Sequence, residues 1–278
     1  MMSKNLTKRI LSGLRIVGIL FIFYFVTFPI FWMLLTAFKN NRDAYSTKLI
    51  FQPTLNNFTL LFDGNPYNFA PLITNSIIIS LSTVIIGVPL AVMAAFAFSR
   101  YKFRGKNLLL IFVLSAQFLP ATVVLLPYFI QFRNFGLLDT RIGLIIMHLT
   151  ISIPFAIWLV KGFIDALPLE IEQAALVDGC TEFQTLRYVT MPLIMPGVVV
   201  ATVFTFVGSW NEFLFAFIMT TSDNARPMMV GLLALNEIDG IPWEKLSAAG
   251  LIIMIPMFIL ALSIRRYFVS GLTMGAVK

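Results

Sequence analysis

Residues 72–98, LITNSIIISLSTVIIGVPLAVMAAFAF, decide the fold class, because this long stretch contains no charged side chain. A helix needs about 20 predominantly apolar residues to cross the hydrocarbon core of a membrane. Five further apolar stretches occupy residues 16–38, 108–132, 142–160, 193–219 and 246–264. We therefore predict an all-α, polytopic membrane helical bundle with about six transmembrane helices.

The composition agrees with a membrane protein, since 59% of the residues are hydrophobic and 12% are charged, whereas soluble domains carry about 25% charged residues. The single cysteine, Cys180, excludes an intramolecular disulfide and a Cys-x-x-Cys metal or redox site. The single histidine, His148, lies in an apolar stretch, which favours a packed or hydrogen-bonded side chain over a ligand or proton relay.

The basic residues flank the apolar stretches, which is the pattern that sets membrane orientation and not one that binds nucleic acid. Residues 100–106 carry four basic and no acidic side chains, so we expect this loop to be cytoplasmic. With an even number of spans, both termini are then cytoplasmic. The predicted organisation is a cytoplasmic N-terminus (1–15), a single transmembrane permease domain (16–264) and a cytoplasmic tail (265–278).

One predicted cytoplasmic segment, residues 165–192 between the fourth and fifth spans, has the pattern of folded structure. Pro168 suits the first turn of a helix, and Glu170 and Glu172 follow where the helix dipole favours negative charge. Gly179 can take a left-handed C-terminal cap. A second short helix is indicated by a capping box of Thr181 and Gln184, and we expect Pro192 to end it.

The 165–192 segment is too apolar for a free loop, and two interpretations follow from its residues. It is either a structural cap packed under the protein's own helices or a helix that docks on a soluble partner. The residues alone favour neither.

The same segment resembles the EAA loop of ABC importer permeases. Residues 173–179, QAALVDG, are followed after nine residues by VTMP at 189–192 with the family's spacing, although Gln173 replaces the usual Glu. Residues 75–76, 94–104, 153–168, 210–213 and 271–278 extend the resemblance to the carbohydrate-uptake, maltose-permease-G-like family. The resemblance implies a cytoplasmic coupling helix, and the ATPase-coupling residues that it implies are Glu170, Glu172, Gln173, Ala174, Ala175, Asp178, Gly179 and Pro192.

The resemblance also implies the partners of the chain: a second homologous permease, two copies of a cytoplasmic P-loop ATPase, and an extracytoplasmic solute-binding protein. Gly271, Gly275 and Lys278 of the tail are expected near the ATPase or in a frayed terminus. The location implied is a bacterial or archaeal cytoplasmic membrane. The implied function is the permease subunit of an ATP-driven importer for a sugar or sugar-like solute, working by alternating access.

A nucleotide site is not indicated by the chain's own sequence. Gly13 and Gly18 have the glycine spacing of a P-loop, but Ile19 stands where the phosphate-binding lysine must be. We therefore expect a transport subunit that is not an enzyme and binds no cofactor, with ATP and Mg on the partner ATPase.

Candidate substrate-path residues are few, since Glu212 is the one clear intramembrane acid and such residues are usually functional. Trp210 and Asn211 adjoin it, and Gln117 is a further candidate. These side chains either line a pore or serve structure. The alternative function is an ion-coupled secondary transporter, which usually shows several intramembrane acids and internal repeats. A membrane enzyme would need a catalytic cluster that the sequence lacks.

Overall fold

The computed structural model describes residues 2–64, 68–235 and 240–274, and side chains within 11–64, 68–235 and 240–264. These residues form helices and no β-strand. The α-helices are α1 (Met2–Ala37), α2 (Asn41–Ala44), α3 (Asn56–Leu60), α4 (Phe69–Arg100), α5 (Lys106–Ser115), α6 (Ala121–Asn134), α7 (Arg141–Asp165), α8 (Leu169–Val177), α9 (Glu182–Thr185), α10 (Met191–Leu193), α11 (Met195–Trp210), α12 (Leu214–Met219), α13 (Met228–Gly231) and α14 (Trp243–Met274). Short 3₁₀ segments (Ala116–Phe118, Leu232–Leu235) and a π-helical turn (Leu186–Thr190) connect some of them.

The predicted all-α membrane bundle is confirmed. Among the described residues, four helices are long and apolar enough to cross a membrane, and the number rises to six if each of two bent helix pairs is one span. The four are helices α1, α4, α7 and α14, which cover the predicted first, second, fourth and sixth spans.

The third predicted span is broken. Helices α5 and α6 meet at an angle of 100° at a break of a few residues. Leu119 is extended (φ −74°, ψ 123°) and Pro120 precedes α6, because a proline disfavours the helical conformation of the residue before it.

The fifth predicted span, residues 193–219, is also interrupted. Helix α11 ends at Trp210, and α12 begins at Leu214 after a three-residue break without proline. The Glu212 side chain accepts hydrogen bonds from the N–H groups of Phe215 (2.8 Å) and Ala216 (3.0 Å). These contacts satisfy amides at the start of α12, which otherwise lack intrahelical partners, and thereby stabilise the break.

The chain divides into two compact units, and the larger comprises Phe69–Leu233 and Pro256–Lys278. Its centre is the packing of α4, α7 and α11 around buried aliphatic side chains such as Ala91, Val160 and Ala201. Small residues permit this close packing, since a Cβ on Gly197 would lie 2.4 Å from the ring of Phe163.

The smaller unit comprises Met1–Asn68 and Ala234–Ile255. Within α1, no side chain of residues 11–35 is buried, although the helix is apolar all round. A helix with this composition requires an apolar environment, either lipid or another protein. Beyond α1, Lys39 is buried, with its ammonium 4.8 Å from the ring centre of Trp32 and bonded to the Ser46 carbonyl.

Candidate functional site

Helix α8 has the termini that the sequence predicts. Pro168 occupies the N-cap, one position before the predicted first turn, and Glu170 and Glu172 follow in the first turn. At the other end Gly179 has φ +91°. The N–H of Gly179 donates to the Leu176 carbonyl (3.1 Å), and the N–H of Cys180 donates to the Ala175 carbonyl (3.0 Å). These two bonds form a Schellman motif, so the left-handed cap at Gly179 is confirmed.

The second helix of the segment begins as predicted and ends differently. Thr181 and Gln184 form both hydrogen bonds of a capping box at the start of α9. Pro192, however, does not end this helix, although the sequence predicted that it would. A π-helical turn over Leu186–Thr190 precedes Pro192, and the chain stays helical to Leu193 before it bends by 82° into α11. Such a turn is a local adjustment by which a helix accommodates a proline.

Glu172 is the charged residue among the predicted coupling residues whose side chain is buried in the protein. Its carboxylate accepts hydrogen bonds from Arg100 Nε (2.6 Å), Arg100 Nη2 (3.2 Å) and Thr190 Oγ1 (2.9 Å). The side chains of Arg100 and Glu172 are 10% and 6% exposed. A bidentate, charge-assisted pair of this kind fixes geometry well.

Arg100 joins the ends of several elements. Besides Glu172, its Nη2 donates to the carbonyl groups of Ile164 (2.9 Å) and Leu167 (3.3 Å), at and beyond the end of α7. Arg100 was predicted only as a signal of membrane orientation, and its contacts with α7 and α8 were not predicted. Glu172 and Ala175 are both buried, and their spacing places them on one face of α8. This spacing was the signal in the sequence that could have indicated that Glu172 faces the bundle.

The remaining predicted coupling residues lie on the surface, apart from buried Ala175. Gln173, Ala174, Asp178 and Gly179 are exposed, as are Glu170 and Pro192. Large apolar side chains share this surface: Leu169, Ile171, Leu176, Val177, Phe183 and Tyr188 are all exposed. The 165–192 segment thus presents an apolar outer surface while Glu172 and Ala175 face the bundle.

A cavity of about 190 Å³ within the larger unit contains two of the four predicted substrate-path residues, Gln117 and Glu212. Gln117 Nε2 donates to the Ile151 carbonyl (2.6 Å). Trp210 and Asn211 do not line the cavity. Trp210 is 2% exposed and stacks on Phe206 with 5.7 Å between ring centres, whereas Asn211 is exposed.

His148 is central to this cavity and was predicted only as a packed or hydrogen-bonded residue. It is buried, its Nδ1 lies 2.6 Å from Ser209 Oγ, and Ser209 Oγ donates to Ser80 Oγ (3.3 Å). Its Nε2 lies 3.5 Å from Glu212 Oε2. Side chains of α4, α7 and α11 therefore meet in one polar cluster. The cluster was not predicted from the sequence, because its residues lie far apart along the chain.

Nearer the start of α4, a second polar cluster holds the connection between α12 and α13. Buried Asn75 donates to the carbonyl groups of Asp223 and Arg226 (both 2.9 Å) and accepts from Arg141 Nε (2.7 Å). The next residue, Ser76, accepts from the N–H of Met228 (2.8 Å). Residues 220–228 are thus held by hydrogen bonds to side chains near the N-termini of α4 and α7.

Asp139 adds a further attachment of this connection. Its carboxylate accepts from the N–H of Thr221 (3.0 Å), and from the N–H (3.0 Å) and hydroxyl (2.6 Å) of Ser222. Partial burial acts to raise the pKa of Asp139, but these hydrogen bonds together lower the pKa below its ordinary value of 3.8. Its φ of +55° is in the left-handed region, which Asp tolerates better than most residues.

The predicted tail contacts are only partly within the described residues. Gly271 lies in the last turns of α14, which ends at Met274. Gly275 and Lys278 lie outside the described residues.

These features define a class: a helical membrane protein with a small, mostly apolar cavity that contains a few polar side chains, and with a structured loop whose surface is apolar. Residues 87–274 match the family model described as "Binding-protein-dependent transport system inner membrane component". The chain therefore belongs to the family of inner membrane components of binding-protein-dependent transport systems.

Individual relatives extend over nearly the whole chain. It is 31% identical to the trehalose/maltose transport system permease protein MalG of Thermococcus litoralis, covering 100% of this chain and 99% of that protein. It is 30% identical to the diacetylchitobiose uptake system permease protein DasC of Streptomyces coelicolor, covering 92% and 94%. A solved bacterial ABC transporter involved in alginate import has the same fold, with a TM-score of 0.81 at 20% identity over 94% of this chain and 98% of that chain.

Proposed function

We propose that this chain is a membrane-spanning subunit of an ATP-driven importer for a sugar or sugar-like solute, and that it works by alternating access. A separate P-loop ATPase supplies the energy through the 165–192 segment. The observation that carries this proposal is the architecture of that segment: an apolar outer surface on α8, joined to the bundle by the buried pair of Arg100 and Glu172.

The outer surface of the segment is suited to a protein partner. Val177 is 88% exposed and Phe183 is 62% exposed, and exposed groups of large apolar side chains mark interaction sites. Gln173 lies beside them and offers an uncharged amide where the resembled loop has Glu. The contact at this position is therefore a neutral hydrogen bond, and the nearby charge comes from Glu170.

The inner surface of the segment is suited to transmit force. Arg100 connects α8 with the ends of α4 and α7, so a displacement of α8 is passed to both helices. Glu172 belongs to this connection and not to the surface that meets the ATPase.

The exposed apolar surface of α1 supports a second permease subunit, with lipid covering the rest. Residues 11–35 of α1 contain no buried side chain. Six spans also form too small a bundle to enclose a sugar path, so we assign the second wall of that path to a homologous permease. The family's description includes a binding protein, which we place on the outer side, where it delivers the solute.

The orientation follows from the basic loop at residues 100–106, which we place in the cytoplasm together with the 165–192 segment and both termini. The membrane is then a bacterial or archaeal cytoplasmic membrane. The Asn75 cluster and the connection between α12 and α13 face the outer side, where the binding protein docks.

The test is reconstitution of the chain in vesicles with a second permease, a P-loop ATPase and a solute-binding protein from the same organism, using trehalose, maltose and diacetylchitobiose as solutes. We expect uptake of the solute that the binding protein holds, with dependence on ATP and on the binding protein. Uptake by this chain alone without ATP would contradict the proposal and favour the ion-coupled alternative.

A glycine variant tests the docking surface in the same preparation. Gly179→Leu places a bulky side chain on the outer surface in a left-handed conformation, which costs about 1–2 kcal/mol locally, and should abolish coupled ATP hydrolysis. Gly136→Leu is the matched control, because Gly136 also has positive φ (+65°) and open space around it. Full coupling in Gly179→Leu would refute the docking role.

A further inference from the structure

We infer that the cavity around His148 is a binding site for a single ring of a neutral sugar or polyol, which occupies it during passage through the membrane. This inference rests on the proposed function, since it assigns a substrate class to one wall of the path. Four observations carry it: an unpartnered buried nitrogen, the charge of the lining, its apolar faces, and its volume.

The unpartnered nitrogen is His148 Nε2. It is buried and lines the cavity without a hydrogen-bond partner. A buried polar atom without a hydrogen bond is energetically unfavourable. Glu212 Oε2, at 3.5 Å, is close enough for attraction but does not form a hydrogen bond with this nitrogen. A ligand hydroxyl in the cavity, beside this pair of atoms, can contact both of them, because a hydroxyl is one donor and two acceptors.

The lining selects against anionic ligands. It contains one carboxylate, Glu212, one imidazole, and the uncharged polar side chains Gln117, Ser152, Thr205 and Ser209. Lys and Arg are absent from the described lining residues. A sugar carboxylate or phosphate would meet Glu212 without a guanidinium or ammonium to balance it. Neutral hydroxyl groups fit this set of donors and acceptors.

The apolar part of the lining suits the C–H faces of a sugar ring. Phe155 and Phe204 pack edge to face, with 5.4 Å between ring centres and an interplanar angle of 66°. They line the same cavity as the polar side chains. An apolar wall with a few convergent polar groups is the usual composition of a small-molecule site.

The volume sets the size of the ligand. The cavity holds about 190 Å³, which is below the roughly 300 Å³ at which sites for drug-sized ligands begin. This volume is suited to enclosing one sugar ring and is too small to enclose a disaccharide. A longer sugar would therefore occupy this site one ring at a time, with its other rings outside it.

Gly208 gives a direct way to close the site. A Cβ on Gly208 would meet nothing within 4 Å, and Gly208 lines the cavity, so Gly208→Val adds bulk at the cavity wall. Gly162→Val is the matched control, because a Cβ there also meets nothing within 4 Å and Gly162 lines a different cavity.

The experiment uses the complete importer in vesicles with trehalose, maltose and diacetylchitobiose. We expect Gly208→Val to lower uptake by about tenfold or more, while uptake and ATP hydrolysis of the Gly162→Val control stay within about twofold of wild type. Uptake equal to that of Gly162→Val would overturn this inference and leave the proposed function intact. Uptake by the wild-type importer that depends neither on ATP nor on the binding protein would overturn both.

Sugar protection of an introduced thiol gives a readout that is independent of folding effects. Cys180 is the single cysteine, so Cys180→Ala with Ser152→Cys leaves one thiol, inside the cavity. The sugar that is transported should slow its reaction with a small thiosulfonate reagent by about tenfold. Cys180→Ala with Gly162→Cys is the control and should react at the same rate with or without sugar. Equal, sugar-independent rates at both positions would refute the site.

Discussion

Replacement of Arg100 by Gln should separate ATP hydrolysis from transport, because it breaks the connection between α8 and the bundle. Glu172 would keep only the Thr190 hydroxyl as a partner, and its carboxylate would remain buried at 6% exposure. The carbonyl groups of Ile164 and Leu167 would also lose a donor.

The magnitude follows from the burial of the pair. Breaking a buried ion pair costs about 3–5 kcal/mol, and the partial exposure of both side chains here favours the lower end. A cost of about 3 kcal/mol is roughly a 150-fold shift toward states in which α8 has left the bundle, since each 1.36 kcal/mol corresponds to about a factor of ten. The global fold should survive, because the packing of α4, α7 and α11 does not depend on this pair.

Two measurements check this prediction on the reconstituted importer. The ratio of solute moved to ATP hydrolysed should fall by about tenfold or more in Arg100→Gln. The amides of α8 should exchange hydrogen faster by a factor approaching the predicted shift. Arg104→Gln is the matched control, because Arg104 is exposed, lies in the same loop region and is outside this ion pair.

Two further variants test the role of the Arg100–Glu172 pair even if Arg100→Gln inserts poorly into the membrane. Thr190→Val removes only one hydrogen bond to Glu172 and should raise exchange of α8 by about fivefold, corresponding to about 1 kcal/mol. Arg100→Lys should recover only part of the coupling, because an ammonium cannot reproduce the bidentate contact and the carbonyl contacts together. Wild-type coupling and exchange in Arg100→Gln would show that the pair transmits nothing.

Three other predictions address different parts of the chain. Gly197→Ala should destabilise the larger unit by about 1–3 kcal/mol through overpacking against Phe163, measured by thermal unfolding of the purified importer, whereas Gly208→Ala should be nearly neutral; equal effects would contradict the assigned packing. Asp139→Asn should lower the stability of the protein at about pH 7, and the difference from wild type should shrink toward about pH 3. The reason is that a carboxyl whose pKa is lowered by folding stabilises the protein above its ordinary pKa, and this stabilisation is lost as the pH falls through the pKa of the folded state. A difference in stability that does not change with pH would refute this. Cys180 should react with a membrane-impermeant maleimide in inverted vesicles and not from outside; the reverse result would place the 165–192 segment on the outer face.

The spans were predictable because an apolar stretch in lipid must satisfy its own backbone hydrogen bonds, and helices do this locally. The helix breaks were not predictable from the same signal. Pro89 and Pro154 lie inside uninterrupted helices, whereas Pro120 follows a break. The interruption before α12 has no proline at all and depends on the Glu212 side chain. A break is therefore decided by which tertiary partners satisfy the freed groups, and composition does not report those partners.

The termini of the 165–192 segment were predictable for the opposite reason. The capping box of Thr181 and Gln184 and the cap at Gly179 involve residues within five positions of each other, so the sequence contains both partners. The pair of Arg100 and Glu172 joins residues 72 positions apart. Two charges that distant look independent in a sequence, and Arg100 was therefore interpreted only as a topology signal.

The connection between the 165–192 segment and the cavity was not predictable either, because its residues also lie far apart in the sequence. His148, Ser209 and Ser80 bond α7, α11 and α4 to each other at the cavity wall. Two of these helices, α4 and α7, end at the contacts of Arg100. A movement of α8 therefore acts on helices that also carry the cavity's polar side chains, and close packing makes such helices shift as rigid bodies. It follows that the Arg100 variant should change sugar protection of a thiol at Ser152 when ATP is added, whereas the Gly208 variant should leave the ATP response of α8 intact.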